Sequence, residues 1–315
     1  MTEPVFARPI FERMAVIGCG LIGSSVIRAA RASGAVAEVA VYDPSAFVRA
    51  RVTELGFADN VQEDPAEAVA GADLVIFAAP PAAIGEVAKL AAKGLKPGAV
   101  VSDVGSVKAA IADALLEALP ENVFVVPGHP IAGTESSGPD AGFAELFAGR
   151  WTILCPQARD DAPYAAAVER MTAFWRALGA NVELMDAKHH DLVLAVTSHL
   201  PHLIAYNIVG TAADLEDVTQ GEVIKYSAGG FRDFTRIAAS DPVMWRDVFL
   251  LNKDAVLEIL GRFTEDLQAL SRQIRWGEGD KLEALFTRTR AIRRGVIAAG
   301  QESPDTNFGR DKKPG

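Results

Sequence analysis

The stretch AVIGCGLIGSSV, residues 15–26, sets Gly18, Gly20 and Gly23 directly after a β-branched run and at the head of a helical one. Glycines at this spacing say little alone; between a strand and a helix they specify one backbone path. Gly18 allows a tight turn, Gly20 lets the chain approach a pyrophosphate closely, and Gly23 lets the helix pack against the strand. Leu21 and Ile22 open that helix, whose first N–H groups and positive dipole end face phosphate. A chain with this turn is expected to build a strand–helix–strand unit that binds a dinucleotide.

The rest of the first half keeps the same rhythm. β-branched runs recur at 15–17, 39–42, 74–77, 100–102, 124–126 and 152–154, and helical stretches at 24–32, 46–55, 81–92 and 108–119 separate the early ones. This alternation predicts a Rossmann-type, doubly wound, mostly parallel sheet with helices on both faces. A last strand over 182–185 is expected to close it. Such sheets bind ligands at the carboxyl ends of their strands, which selects Asp43, Ala79, Pro80 and Ser106. Asp43 lies about 20 residues past Gly23, where a carboxylate accepts hydrogen bonds from a ribose 2′-hydroxyl and repels a 2′-phosphate. NAD is therefore expected over NADP, with Arg49 and Arg51 close enough to soften the preference. Ala79 and Pro80 make a stiff, small loop for the adenosine side. Ser106 and Lys108, in SDVGSVK, are expected to face the nicotinamide, and Ser106 also suits the N-cap of the following helix.

After about Asp186 strands vanish and helical periodicity takes over. Leu192, Ala195, Val196, His199, Leu203 and Tyr206 fall close to i, i+3, i+4, i+7 spacing, and long amphipathic runs follow at 243–263 and 281–299. The reading is a dinucleotide-binding domain over 1–186, an all-helical domain over 187–300, and a polar, disordered tail over 301–315. A net charge of −10 argues against nucleic acid or anionic membrane as partner, yet leaves room for a local cationic cluster that binds an anionic substrate. Cys19 and Cys155 form neither a disulfide framework nor a zinc spacing, so no metal is expected. The N-terminus does not read as a signal peptide and no run reads as a membrane span, so the protein is expected in the cytoplasm.

GHPIAGTESSG, residues 128–138, follows the 124–126 run and puts His129 between Gly128 and Pro130. It reads as a loop histidine at a strand's carboxyl end, on the same rim as Ser106. A histidine beside a nicotinamide accepts the proton of a hydroxyl whose carbon loses hydride.

Taken together, GCGLIG, SDVGSVK, GHPIAGTESSG, TSHLPHLIAYNIV and GGFRDFTRIAASDPVMWRDVFLLNK resemble the prephenate, arogenate and cyclohexadienyl dehydrogenases of tyrosine biosynthesis, over roughly residues 14–290. The resemblance implies NAD-dependent oxidation and decarboxylation of a dianionic cyclohexadienol, with hydride leaving the hydroxyl-bearing carbon and carbon dioxide the opposite one. It implies that His129 accepts the hydroxyl's hydrogen bond, with Ser106 touching that hydroxyl and the cofactor. It assigns Arg236 to a substrate carboxylate, His202 to the substrate pocket with His199 and Ser198 beside it, Trp245 to an apolar wall, and Thr134 and Glu135 to the entrance. It also implies a homodimer through the helical domain. The alternatives are another two-domain dehydrogenase, of the β-hydroxyacid dehydrogenase or imine reductase type, and a protein that senses NAD without chemistry. The first calls for a catalytic lysine on a helix of the second domain, and neither Lys188 nor Lys225 sits in such a motif.

Overall fold

Strand β4 (Leu74–Phe77) is buried at every position, and β5 (Val100–Asp103) likewise. Strands buried at every position in this way belong to parallel sheets covered on both faces. The computed structural model describes residues 8–134, 136–214 and 229–298. Its main sheet has six parallel strands: β1 (Phe11–Ile17), β2 (Val36–Tyr42), β3 (Asn60–Gln62), β4, β5 and β6 (Phe124–Val125), in the order β3-β2-β1-β4-β5-β6. The order reverses between β1 and β4, which opens a crevice at their carboxyl ends. Helices α1 (Leu21–Ser33), α2 (Ala46–Leu55), α3 (Pro65–Val69), α4 (Ile84–Ala91) and α5 (Ala109–Ala118) make the crossovers. Strand β3 and helix α3 were not expected; both are too short for periodicity to reveal.

The later strands differ from the expectation of one sheet. Pro127 has no N–H to extend β6, and the chain re-enters extended structure as β7 (Gly128–Pro130). That strand pairs antiparallel with β8 (Trp151–Leu154), and β8 pairs parallel with β9 (Asn181–Leu184), giving a separate three-stranded sheet. His129 is therefore a strand residue, in register with Ile153, and not the loop residue that its glycine and proline neighbours suggest. Helix α6 (Ala162–Ala177) links β8 to β9 and drives Phe174 and Trp175 against Phe11 and Phe147. Asp161 caps it by accepting from Tyr164 N at 2.8 Å.

Helix α7 (Ala187–Leu194) starts at the Asp186 cap, passes through a π-helical turn at Ala195–His199, and continues as α8 (Leu200–Asp214). The wide turn sits just ahead of Pro201, whose missing N–H leaves the carbonyl of Thr197 without its usual partner. By length and composition, residues 187–214 would suffice to cross a membrane, against the expectation that no run would. Within it His190, Asp191 and His199 are buried and hydrogen-bonded in the protein interior. Further helices cover Gly229–Thr235, Pro242–Leu251, Lys253–Arg275 and Gly279–Ala298. The expected single run over 243–263 breaks at Asn252, whose side chain turns inward to Asp191 and His199.

Two compact units emerge, Met1–Val256 and Leu257–Gly315, with the boundary inside helix Lys253–Arg275. The second has no buried residue among those described, and Leu257, Ile274, Trp276, Phe286 and Ile292 are all more than half exposed. A helical segment from Leu257 onward that buries no residue among those described is not a self-sufficient core. The expected disordered tail, 301–315, lies outside the described residues.

Candidate active site

The cradle for the dinucleotide is backbone. Gly18 holds φ +98°, and a Cβ there would come within 2.6 Å of the Ala78 carbonyl; a Cβ on Gly23 would overlap the carbonyl of Gly18. A Cβ on Gly20 would meet nothing within 4 Å, so the space over that residue is open. Helix α1 has no side-chain cap at Gly20, which leaves its first-turn N–H groups, Leu21 and Ile22 included, facing that space. This is the arrangement a pyrophosphate needs. Asp43 steadies it, accepting from Cys19 N at 2.9 Å and from Ser45 N at 2.9 Å. Arg49 is turned away, donating to the carbonyls of Asp43 and Pro44 and pairing with Glu63. Arg51 binds Asp140 and Glu54. Ala79 and Pro80 follow β4 at the crevice rim.

The other end of the site is built from side chains. Four of the five histidines, His129, His190, His199 and His202, gather here. His129 Nδ1 lies 2.9 Å from His190 Nε2, and His190 Nδ1 lies 2.8 Å from Asp191 Oδ1. The Asp191 carboxylate also accepts from Lys108 N at 2.7 Å and Ala109 N at 2.9 Å, so it caps α5 from a distant helix. Lys108 does not face the cofactor as expected. Its side chain is fully buried, paired with Asp103 and donating to the carbonyl of Gly128 at 2.7 Å. Asp103 in turn accepts from Gly105 N and Gly128 N, tying the end of β5 to the strand that carries His129.

Burial holds these imidazoles neutral. His129 is pushed well below the ordinary histidine range, by desolvation first and then by His190 and Lys108. His199 is pushed down to about 4 by burial, against the pull of Asp191. Its Nδ1 accepts from Asn252 Nδ2 at 3.0 Å, and the Ser106 backbone beside the ring pulls its pKa back upward. His202 stacks on Trp245 at 3.6 Å and contacts the Ser198 carbonyl through Nδ1 at 2.9 Å. Burial lowers its pKa too, and the charge of Arg236 adds to the effect. Ser106 does not cap α5, whose N-cap is Lys108, and its hydroxyl has no hydrogen bond among the described residues. Thr134 is exposed beyond β7, and Glu135 lies outside the described residues.

Of the residues singled out from sequence, the structure gathers His129, His199, His202 and Trp245, with Ser106 beside His199 and Arg236 beside His202; His190, Asp191, Asn252 and the strut of Asp103 and Lys108 were not singled out. The signal for His190 and Asp191 is HHD at 189–191, two imidazoles and a carboxylate just behind an N-capping Asp186.

Known proteins resemble the chain over most of its length. Residues 26–184 match the family model for the nucleotide-binding domain of prephenate dehydrogenase, and residues 186–288 match that for its dimerization domain. The chain is 44% identical to a cyclohexadienyl dehydrogenase of Zymomonas mobilis over 90% of its own length and 96% of the relative's. It is 32% identical to a Bacillus subtilis prephenate dehydrogenase, over 87% of this chain and 72% of that one. Its fold superposes on prephenate dehydrogenase from Aquifex aeolicus, solved with hydroxyphenyl propionate and NAD+, with a TM-score of 0.83, 32% identity, and coverage of 90% and 98%. With a glycine cradle for NAD and a buried histidine cluster past the ends of its strands, the chain belongs to the prephenate dehydrogenase family of NAD-dependent oxidoreductases.

Proposed function

We propose that the protein oxidatively decarboxylates prephenate, arogenate or both, in the formation of tyrosine, with His129 as the base. The observation that carries the assignment of residues is a neutral, buried imidazole, His129, joined through His190 to Asp191 in a polar cluster beyond β5. NAD+, held at the Gly18–Gly23 turn, would supply the acceptor for the hydride that leaves the hydroxyl-bearing ring carbon. The hydroxyl proton passes to His129, and the Ser106 hydroxyl orients the oxygen. As the ring carboxylate departs as carbon dioxide, its bonding pair flows into the ring, and His129 returns the proton to the phenol oxygen. No net proton is consumed.

Arg236 binds a substrate carboxylate; a guanidinium suits that group in bidentate geometry. Trp245 and His202 form the wall beside it. His202 donates from Nδ1 to the Ser198 carbonyl, so its Nε2 offers a lone pair. That lone pair suits the ammonium of arogenate better than the keto oxygen of prephenate. Asp43 accepts from the ribose hydroxyls, and Ala79 and Pro80 lie along the adenosine. Residues 1–186 hold the cofactor and 187–300 supply the substrate contacts, with Thr134 and Glu135 at the entrance. A second copy of the chain covers the exposed apolar face of residues 257–296, consistent with the dimerization model matched there. The enzyme is cytoplasmic. NADH formation at 340 nm on adding prephenate and arogenate separately tests the reaction, and the ratio of the two kcat/KM values tests His202. Absence of NADH with both substrates would falsify it.

A further inference from the structure

The three-residue chain Asp191–His190–His129 carries an inference that rests on His129 being the base and says how that base is set. A carboxylate only accepts, so at 2.8 Å from Asp191 Oδ1 it is His190 Nδ1 that bears the proton. Neutral His190 then has a bare Nε2. His129 Nδ1, 2.9 Å from it, must donate. His129 is left with its lone pair on Nε2, the nitrogen that faces away from His190. We propose that His190 and Asp191 are positioning residues that lock His129 into the Nδ1–H tautomer and share the charge formed when Nε2 takes the substrate proton.

The surroundings leave little else to do this. Lys108, the nearest cation, is committed to Asp103 and the Gly128 carbonyl and opposes an imidazolium at His129. His199 is held by Asn252, and Cys155 is a buried thiol pushed up to about 12 by burial. Asp191 is the only carboxylate in line with the two rings among the described residues. It is itself fixed by the N–H groups of Lys108 and Ala109. When His129 becomes an imidazolium, its Nδ1–H bond to His190 strengthens, and the proton can shift to His190 Nε2 as the His190 Nδ1 proton moves toward Asp191. When the phenol oxygen reclaims its proton the shifts reverse, so bonds made and broken balance. Asp191 also caps α5, just past Ser106, so one carboxylate ties the tautomer of the base to the backbone beside its companion hydroxyl.

The test is side-chain 15N NMR of the histidine-labelled full-length enzyme, with kinetics of two variants. In the unaltered protein His129 should show a protonated Nδ1 and an unprotonated Nε2 at pH 7.5. His190→Phe should invert that pattern and lower kcat roughly 100-fold, in the range of lost acid–base assistance, with NAD affinity within about threefold. His190→Gln, whose amide oxygen can accept from His129 and whose NH2 can reach Asp191, should recover at least about tenfold of the loss. An Nε2–H tautomer at His129 in the unaltered protein overturns the proposal, whatever the variants do. Wild-type kcat in His190→Phe overturns it as well. If His129→Asn is inactive in that same set, the base assignment survives and only the relay falls; if His129→Asn turns over normally, the assignment itself is wrong.

Discussion

The nucleotide cradle and the histidine cluster sit at the same end of the sheet and are made in opposite ways. The cradle is one short segment, residues 18–23, in which function is carried by backbone N–H groups and by the lack of side chains. The cluster draws on β5 and the turn after it, β7, α7, the π-helical turn and Asn252, and its function is carried by titratable side chains out of water. The first depends on shape and hardly on pH; the second depends on protonation, and each member relies on the next.

Substitutions should separate the two ends cleanly. The largest effect is expected at His129. His129→Asn should lower kcat by about 10²–10⁴, the usual worth of a positioned base, while isothermal titration still finds NAD bound. Comparable loss of both would merge the two regions into one. Next comes Arg236→Ala, expected to cost about 2–5 kcal/mol of substrate binding, read as a raised KM with kcat nearly kept. A fall in kcat at unchanged KM would put Arg236 in the chemistry instead.

Acid offers a third separation. His199 titrates near 6.5 when unfolded and is pushed down to about 4 when folded. Between these values the unfolded chain binds more protons, so stability falls as pH drops through that window and is unaffected above it. At pH 5 the His199 contribution is roughly 2 kcal/mol. His129 and His190, shifted the same way, add to it. Tm should therefore fall between pH 7 and 5, and His199→Gln should flatten the slope. The acid limb of kcat/KM should lie below the ordinary histidine range, because His129 stays neutral there.

The same contrast explains what could be read from sequence. Gly18, Gly20, Gly23 and Asp43 obey a local spacing rule, and the strand order around them follows from alternation. His129 and Ser106 could be singled out because each follows a β-branched run in sequence, although His129 lies within β7 and not in a loop after β6. His190 and Asp191 were not: their meaning lies in a partner about sixty residues earlier in the one case and eighty in the other, and helical periodicity treats both as ordinary positions near an N-terminus. Lys108 misled for a related reason. Its place after a strand end suggested the cofactor, but a buried carboxylate at Asp103 outcompeted solvent for its ammonium. The second sheet was hidden because a single residue, Pro127, decides that β6 stops.

The smallest effect expected tests the cradle from within. Gly20 and Gly23 look alike in sequence but differ in what a methyl group would meet. At Gly23 it overlaps the Gly18 carbonyl, so Gly23→Ala must shift the turn, costing about 1–3 kcal/mol of stability and of NAD affinity together. At Gly20 a methyl group meets no protein atom within 4 Å. Gly20→Ala should leave Tm near its original value while weakening NAD about tenfold, because the space it enters belongs to the pyrophosphate. Neither change should move the acid limb of kcat at saturating NAD. A Gly20→Ala protein that binds NAD as before would place the phosphates elsewhere and dissolve the distinction between an end built of backbone and an end built of side chains.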